Sequence, residues 1–103
     1  MSVPRFTTPT FTLIFSEPDL DFTQAKNVYV TFRSKAYSIT KSGNDLDIEQ
    51  KQIDVYLTQR ETSKFDVGDL EIQANWLTPD NKRASSEVMT CRISDQLLQR
   101  VIE

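Results

Sequence analysis

The chain has 103 residues, with 12 Lys and Arg against 15 Asp and Glu, and a formal net charge of −3. This length predicts one domain with its own hydrophobic core, and the acidic balance disfavours nucleic-acid binding, which needs clustered Lys and Arg. No apolar run approaches the roughly 18 residues of a spanning helix, so the sequence also predicts no membrane segment.

The N-terminal residues predict neither a signal peptide nor a strand. Residues 1–15, "MSVPRFTTPTFTLIF", lack the basic start, unbroken apolar stretch and small-residue cleavage site of an export signal. With Pro4 among them, residues 1–7 are predicted to form a flexible N-terminal arm. The rest of the chain, residues 8–103, is predicted to form a single domain.

Apolar and polar side chains then alternate in one segment after another, which is the period of a strand with one buried face. In "TFTLIF", Phe11, Leu13 and Phe15 share a face. Val88 lies out of phase in its segment and predicts either a bulge or burial on both faces. The later segments place these residues on inner faces: Val28, Val30 and Phe32; Tyr37 and Ile39; Leu46 and Ile48; Ile53, Val55 and Leu57; Leu70, Ile72, Ala74 and Trp76; Met89, Cys91 and Ile93.

The breaks between these segments have the composition of tight turns. "KSGND" contains a turn built on Ser42, Gly43 and Asn44, and "TPDNKR" predicts a hairpin in which Asn81 takes a left-handed conformation. Turns spaced roughly 8–12 residues apart are typical of a sandwich or barrel. The sequence therefore predicts an all-β, immunoglobulin-like antiparallel β-sandwich.

One segment in the middle of the chain departs from the strand period. In "TQRETSKF", Thr58 is followed three residues later by Glu61, which is the spacing of a capping box. We expect a single helical turn here, with Leu57 and Phe65 closing over an edge of the core.

The end of the chain departs from it too. Ser94 suits an N-cap and Asp95 the first turn, which predicts a short C-terminal α-helix over residues 94–102. A helix this short is marginal alone in water, so its apolar face needs a partner. Two alternatives stay open: the face closes one end of the sandwich, or it docks on a neighbouring subunit. That face carries Leu97, Leu98, Val101 and Ile102.

Residues for catalysis or cofactor binding are scarce. The chain has no histidine, which removes the commonest general base and metal ligand. It has two glycines, too few for a phosphate-binding loop, and Cys91 lies in a strand pattern where burial is the simplest expectation. We therefore expect no catalytic residues and no cofactor, and a small hydrolase built on two carboxylates is a weak alternative.

Acidic and aromatic side chains carry the remaining signals. Asp45, Asp47 and Glu49 share one strand face and could gather oxygen ligands for calcium, but a solvated strand face is the simpler interpretation, so no metal site is predicted. Tyr29 and Tyr56 point outward by alternation. Cross-strand packing, a protein interface and a sugar-stacking surface are the alternatives for these two rings.

The order of the segments resembles a known group of proteins. "TPTFTLIF", "NVYVTF", "ITKSGNDL", "VYLTQRET", "EIQANWLTPDNKRASS" and "LLQRVI" follow one another from about residue 8 to 102. This order resembles small tail or baseplate proteins of phages and prophages of Firmicutes, and is similar to the N-terminal domain of baseplate upper proteins. Asn81 stands where such hairpins usually have Gly, and the sequence lacks the linker and further domain of baseplate upper proteins, so their branching role is not expected here.

The resemblance implies a non-enzymatic structural component of a phage or prophage tail. Such a protein would be synthesised in the host cytoplasm, reside in the virion and act through protein–protein contacts in assembly or attachment. Its expected partners are other tail or baseplate proteins, with a homo-oligomer as an open alternative and with neither nucleic acid nor membrane as a partner. The alternative function is a carbohydrate-binding module that contacts cell-wall polysaccharide.

Overall fold

The computed structural model describes residues 2–102 as strands joined by turns and loops, with one short α-helix. A 3₁₀ turn at Gly43–Asp45 joins the fourth and fifth strands, and Gly43 adopts the left-handed φ of +59° that this tight turn requires. The elements are β1 (Ser2–Pro4), β2 (Thr10–Ile14), β3 (Lys26–Arg33), β4 (Ser38–Ser42), β5 (Leu46–Ile48), β6 (Gln52–Tyr56), α1 (Gln59–Ser63), β7 (Gly68–Leu77), β8 (Arg83–Ser85) and β9 (Met89–Ser94).

The strands of the described residues form two sheets. The larger sheet has the order β1-β9-β7-β3-β4, with β8 also paired to β7, and the smaller sheet has the order β2-β6-β5. β1 runs parallel to β9, whereas the other pairs are antiparallel. The all-β prediction is confirmed, but the purely antiparallel arrangement is wrong because the larger sheet is mixed.

The inner faces of both sheets contribute to one hydrophobic cluster, which gives the fold its sandwich-like character. Val30 and Phe32 from β3 and Ile53 and Val55 from β6 are fully buried, as the alternation predicts. Aromatic rings join the sheets: the centroids of Phe11 and Phe32 lie 5.0 Å apart. At the other end of the core, Trp76 lies 4.9 Å from Phe22 in an edge-to-face contact.

Val88 lies between β8 and β9, which pair one after the other with successive stretches of the same edge of β7. Between the Ile72–Met89 pair and the Asn75–Ser85 pair, β7 contributes two residues and the opposing chain contributes three. The extra residue is a β-bulge, and it leaves Val88 exposed while Met89 faces the core. The bulge alternative is therefore confirmed over burial on both faces.

Ser2–Pro4 form a strand of the larger sheet instead of part of the flexible arm predicted over residues 1–7, of which Met1 lies outside the described residues. Ser2–Pro4 pair in register with Arg92, Ile93 and Ser94, and the Val3 side chain is buried in the core. Because Pro4 has no N–H, it is tolerated in an edge strand of this kind. The partner strand lies some 90 residues away in the sequence, which no local pattern near Pro4 indicates.

The C-terminal helix predicted over residues 94–102 is not formed. Ser94 is the last residue of β9, and its carbonyl oxygen, which would accept the first helical N–H, instead accepts the backbone N–H of Arg5 at 2.8 Å. The following residues form an irregular segment without a helical turn. Since Leu97 is fully exposed, no packing surface is present that would offset the cost of nucleating so short a helix.

The short helix α1 forms as the sequence predicts. The Thr58 hydroxyl accepts the backbone N–H of Glu61, and the Glu61 carboxylate accepts the backbone N–H of Thr58, which completes the capping box. Leu57 and Phe65 are buried on either side of the helix. In residues 2–102, no helix is long and apolar enough to cross a membrane.

Candidate functional site

The thiol of Cys91 lies in an environment that suppresses its reactivity. The side chain is buried on the inner face of β9, and burial raises the pKa of the thiol. A nucleophilic cysteine needs a lowered pKa and access to solvent. Cys91 therefore acts as a core residue in this fold.

Asp45, Asp47 and Glu49 are all exposed to solvent, and Asp47 is the one that lies within β5, since Asp45 ends the 3₁₀ turn and Glu49 follows the strand. Asp47 lies opposite Asp54 in the β5–β6 register. The Asp47 carboxylate, as a hydrogen-bond acceptor and a nearby negative charge, raises the pKa of the Tyr56 phenol. Among residues 2–102, no group of three or more His, Cys, Asp and Glu side chains could hold a metal ion.

The two outward tyrosines lie on different sheets. Tyr29 is in β3 of the larger sheet and Tyr56 is in β6 of the smaller sheet, and the two side chains are 43% and 51% exposed. They therefore cannot form a common groove, which is what a sugar-stacking surface built on both rings would require. Each tyrosine belongs to its own surface.

Tyr29 borders an open depression on the outer face of the larger sheet. The depression has a volume of about 390 Å³, which falls within the ~300–1,000 Å³ typical of small-molecule sites. Residues of β3, β4, β7 and β8 meet there because these strands are neighbours in the sheet. The lining residues are Asn27, Tyr29, Thr31, Thr40, Asn75, Trp76, Leu77 and Arg83.

Polar groups around this depression are held by short cross-strand contacts. The hydroxyl oxygens of Thr31 and Thr40 are 3.0 Å apart, on directly paired residues of β3 and β4. Arg83 donates from Nη2 to the Asn75 side-chain oxygen at 3.3 Å.

A second candidate surface is the irregular segment 95–102. Leu97, Leu98 and Ile102 are all exposed, and Leu97 has no shielding from the rest of the chain. The end of the segment is nevertheless held in place by the Gln59 side chain, which donates to the Ile102 carbonyl at 3.0 Å and accepts the Ile102 N–H at 2.9 Å. The segment thus presents apolar side chains from a tethered backbone.

The start of this segment is held by Arg5. Its guanidinium donates from Nη1 to Asp95 Oδ1 at 3.0 Å and from Nη2 to the Ser63 carbonyl at 2.6 Å. The same guanidinium lies 5.1 Å from the centre of the Phe6 ring. Arg5 therefore joins the end of β1, helix α1 and the C-terminal segment at one point.

Sequence reasoning identified Tyr29 and the C-terminal leucines but missed Arg5 and Gln59. No local pattern marks either residue, because each acts on a partner far along the chain. Comparison of the sequence with protein-family models and with curated proteins finds no match to either.

Proposed function

We propose that this protein is a non-enzymatic structural component of a phage or prophage tail or baseplate, acting through protein–protein contacts in assembly or attachment. It would be made in the host cytoplasm and reside in the virion. The phage assignment rests on the resemblance in segment order described above. The contact role rests on the exposed apolar side chains of the tethered segment 95–102.

The tethered segment supports a contact role because Leu97 is fully exposed and Leu98 is about half exposed within the described residues. An unstructured tail would lose conformational entropy on binding, whereas Gln59 and Arg5 already restrict this backbone. Leu97 and Leu98 offer large apolar side chains whose burial against another subunit would be favourable. The expected partner is a neighbouring tail or baseplate protein, and a second copy of the chain is the alternative.

We further propose that the sandwich is immunoglobulin-like. The order β2-β6-β5 follows the B-E-D order of one immunoglobulin sheet, and β9-β7-β3-β4 follows the G-F-C-C′ order of the other. In that correspondence, β7 and the β8–β9 chain are strands F and G, joined by the hairpin at residues 78–82. Neither the inter-sheet disulfide nor the strand-C tryptophan of antibody domains is present, since the single cysteine lies on β9 and the single tryptophan on β7.

The experiment that tests the tail assignment is the recovery of virions from the strain that encodes the chain. Tails are purified on a density gradient after induction and their proteins are identified by mass spectrometry. We expect peptides of this chain to co-sediment with the tail proteins in a fixed ratio. Intact tails without these peptides would rule out the proposal.

The contact surface is tested by a matched pair of substitutions. Leu97→Asp places a charge on the tethered segment, and Val67→Asp places the same charge on an exposed valine that precedes β7. Both variants are expected to fold, because both side chains face solvent. We expect Leu97→Asp to be lost from purified tails and Val67→Asp to be retained; equal retention would refute a contact role for the segment.

A further inference from the structure

The depression beside Tyr29 has the features of a ligand site in its own right. The exposed ring of Tyr29 lies beside amide, hydroxyl and guanidinium groups on the outer face of the larger sheet. The inner face of the same sheet packs on the hydrophobic core. Ligand sites commonly combine apolar lining with a few convergent polar groups in this way. Proteins also place such sites on rigid elements, which fix the positions of the side chains.

The backbone at the rim of the depression is irregular. Lys26 pairs with Leu77 and Tyr29 pairs with Asn75, so β3 has one residue more than β7 between these two pairs. Asn27 lies in this bulge with a φ of 49°, which a residue other than glycine seldom adopts. Bulges re-aim side chains and are frequent beside binding sites. Here the bulge turns Asn27 to the edge of the depression that Tyr29 borders.

The charges around the depression restrict the class of ligand. Of the residues that line it, Arg83 is the one with a formal charge, and no carboxylate is among them. A cationic ligand is therefore disfavoured. A nucleic acid is disfavoured as well, because a polyanion needs several cations and the chain has a net charge of −3.

Two ligand classes without a positive charge remain, a proline-rich peptide and a carbohydrate, and the residues that line the depression distinguish between them. A proline-rich peptide docks on a groove lined by several aromatic rings, whereas Tyr29 is the exposed ring of this depression. A sugar ring needs one aromatic face, because its C–H groups pack on the negative face of the ring. Its hydroxyls then need donors and acceptors around the edge, which Asn27, Asn75 and Arg83 provide.

We propose that this depression binds a carbohydrate. The face of one sugar unit packs on Tyr29, and its hydroxyl groups bond to Asn27, Asn75 and Arg83 at the edge. The Arg83 guanidinium can donate hydrogen bonds to sugar hydroxyls or to the carboxylate of an acidic sugar. This binding role is separate from the subunit contacts proposed for segment 95–102, since the depression and that segment have no residue in common.

Isothermal titration calorimetry with three defined probes tests the proposal: chitotetraose, cellotetraose and tetragalacturonic acid. We expect saturable binding of at least one probe to the full chain. Tyr29→Ala should weaken that binding about tenfold or more, as loss of a stacked ring does, and Tyr29→Phe should restore most of it. Tyr56→Ala is the matched control, because it removes an equally exposed ring from the other sheet.

Circular dichroism first establishes that each variant is folded. If Tyr29→Ala is unfolded, Asn27→Ala and Arg83→Ala replace it, because both residues are at the exposed rim. The proposal is overturned if none of the three probes binds, if binding survives the loss of Tyr29 or of both rim residues, or if Tyr56→Ala weakens binding as much as Tyr29→Ala.

Discussion

Lys41 and Glu61 form an ion pair that joins the edge strand β4 to helix α1. The side chains are only 13% and 18% exposed, so solvent screens the pair less than it would screen a pair on the open surface. The other Glu61 oxygen accepts the backbone N–H of Thr58 at 2.8 Å. A single carboxylate therefore closes the capping box and fixes the helix against the sheet.

The ionisation of Glu61 makes stability depend on pH. Burial raises the pKa of this carboxyl, but hydrogen bonds from Lys41 and Thr58, together with the Lys41 charge, outweigh it and hold the pKa below its usual value of 4.5. A lowered pKa in the folded state adds stability above the unfolded value, and that stability is lost as the pH falls through the folded value. Glu61→Gln keeps a capping side chain but removes the charge. We expect it to cost about 1 kcal/mol at pH 7, and we expect this cost to shrink as the pH falls below the usual pKa and through the lowered one, as measured by urea denaturation.

The matched control for that experiment is Glu49→Gln, which removes the same charge from an exposed residue near β5. It should change the free energy of unfolding by less than about 0.5 kcal/mol at either pH. If Glu61→Gln costs as much at low pH as at pH 7, the stabilisation does not come from the ionised carboxylate.

The buried side chain of Thr62 holds helix α1 against the segment that contains Thr7. Its hydroxyl donates to the Thr7 carbonyl at 2.8 Å and accepts the Thr7 N–H at 3.0 Å. Thr62→Val has nearly the same shape but leaves both backbone groups without a partner. We expect a loss of about 1–3 kcal/mol in the free energy of unfolding, against a near-neutral effect of Thr12→Val on the exposed face of β2. A neutral Thr62→Val would contradict a stabilising role for these two hydrogen bonds.

The hairpin between β7 and β8 depends on the conformation of Asn81. Its φ is 66°, and its N–H donates to the Thr78 carbonyl at 2.9 Å. Asn81→Gly should be neutral or slightly stabilising in a thermal melt, because glycine adopts this φ without strain. Asn81→Val should destabilise the protein by about 1–2 kcal/mol. Equal melting temperatures for the two variants would contradict the left-handed geometry.

Loss of the two hydrogen bonds between Gln59 and Ile102 is expected to loosen the C-terminal segment without changing the stability of the whole fold. Gln59→Ala removes both hydrogen bonds to the Ile102 backbone. Amide exchange at Ile102, followed by NMR, should become faster, while the free energy of unfolding changes by less than about 0.5 kcal/mol. Gln24→Ala, at an exposed glutamine elsewhere in the chain, should leave the exchange rate unchanged. Unaltered exchange in Gln59→Ala would mean that other contacts hold the segment.

Local signals predicted much of this fold. Strand alternation identified the inner-face residues of β2, β3, β6, β7 and β9, and the capping box and the Asn81 hairpin were found because each depends on residues a few positions apart. The predictions that were wrong, the N-terminal arm and the C-terminal helix, failed because they depend on residues far apart in the sequence. The pairing of Pro4 with Ser94 and the tether from Gln59 to Ile102 depend on partners far along the chain, and these contacts replaced the predicted arm and helix.

In the candidate sites, too, local features were predicted correctly and long-range arrangements were not. Alternation identified Tyr29 and Tyr56 as outward residues, and the structure places them there. It could not tell that they lie on different sheets, because that depends on strand order. The other groups around Tyr29 come from β4, β7 and β8, whose positions beside β3 follow from the pairing alone.

The parallel pairing of β1 with β9 has a mechanical consequence. Ser2 lies opposite Arg92 and Pro4 opposite Ser94, so a pull on Ser2 and an opposite pull on Ser94 act along the strand axis from the two ends of the ladder. Such a load is shared by all the hydrogen bonds between the strands and does not open them one after another. Force applied through these two strands would therefore meet its first resistance at the short β1, before it reached the core.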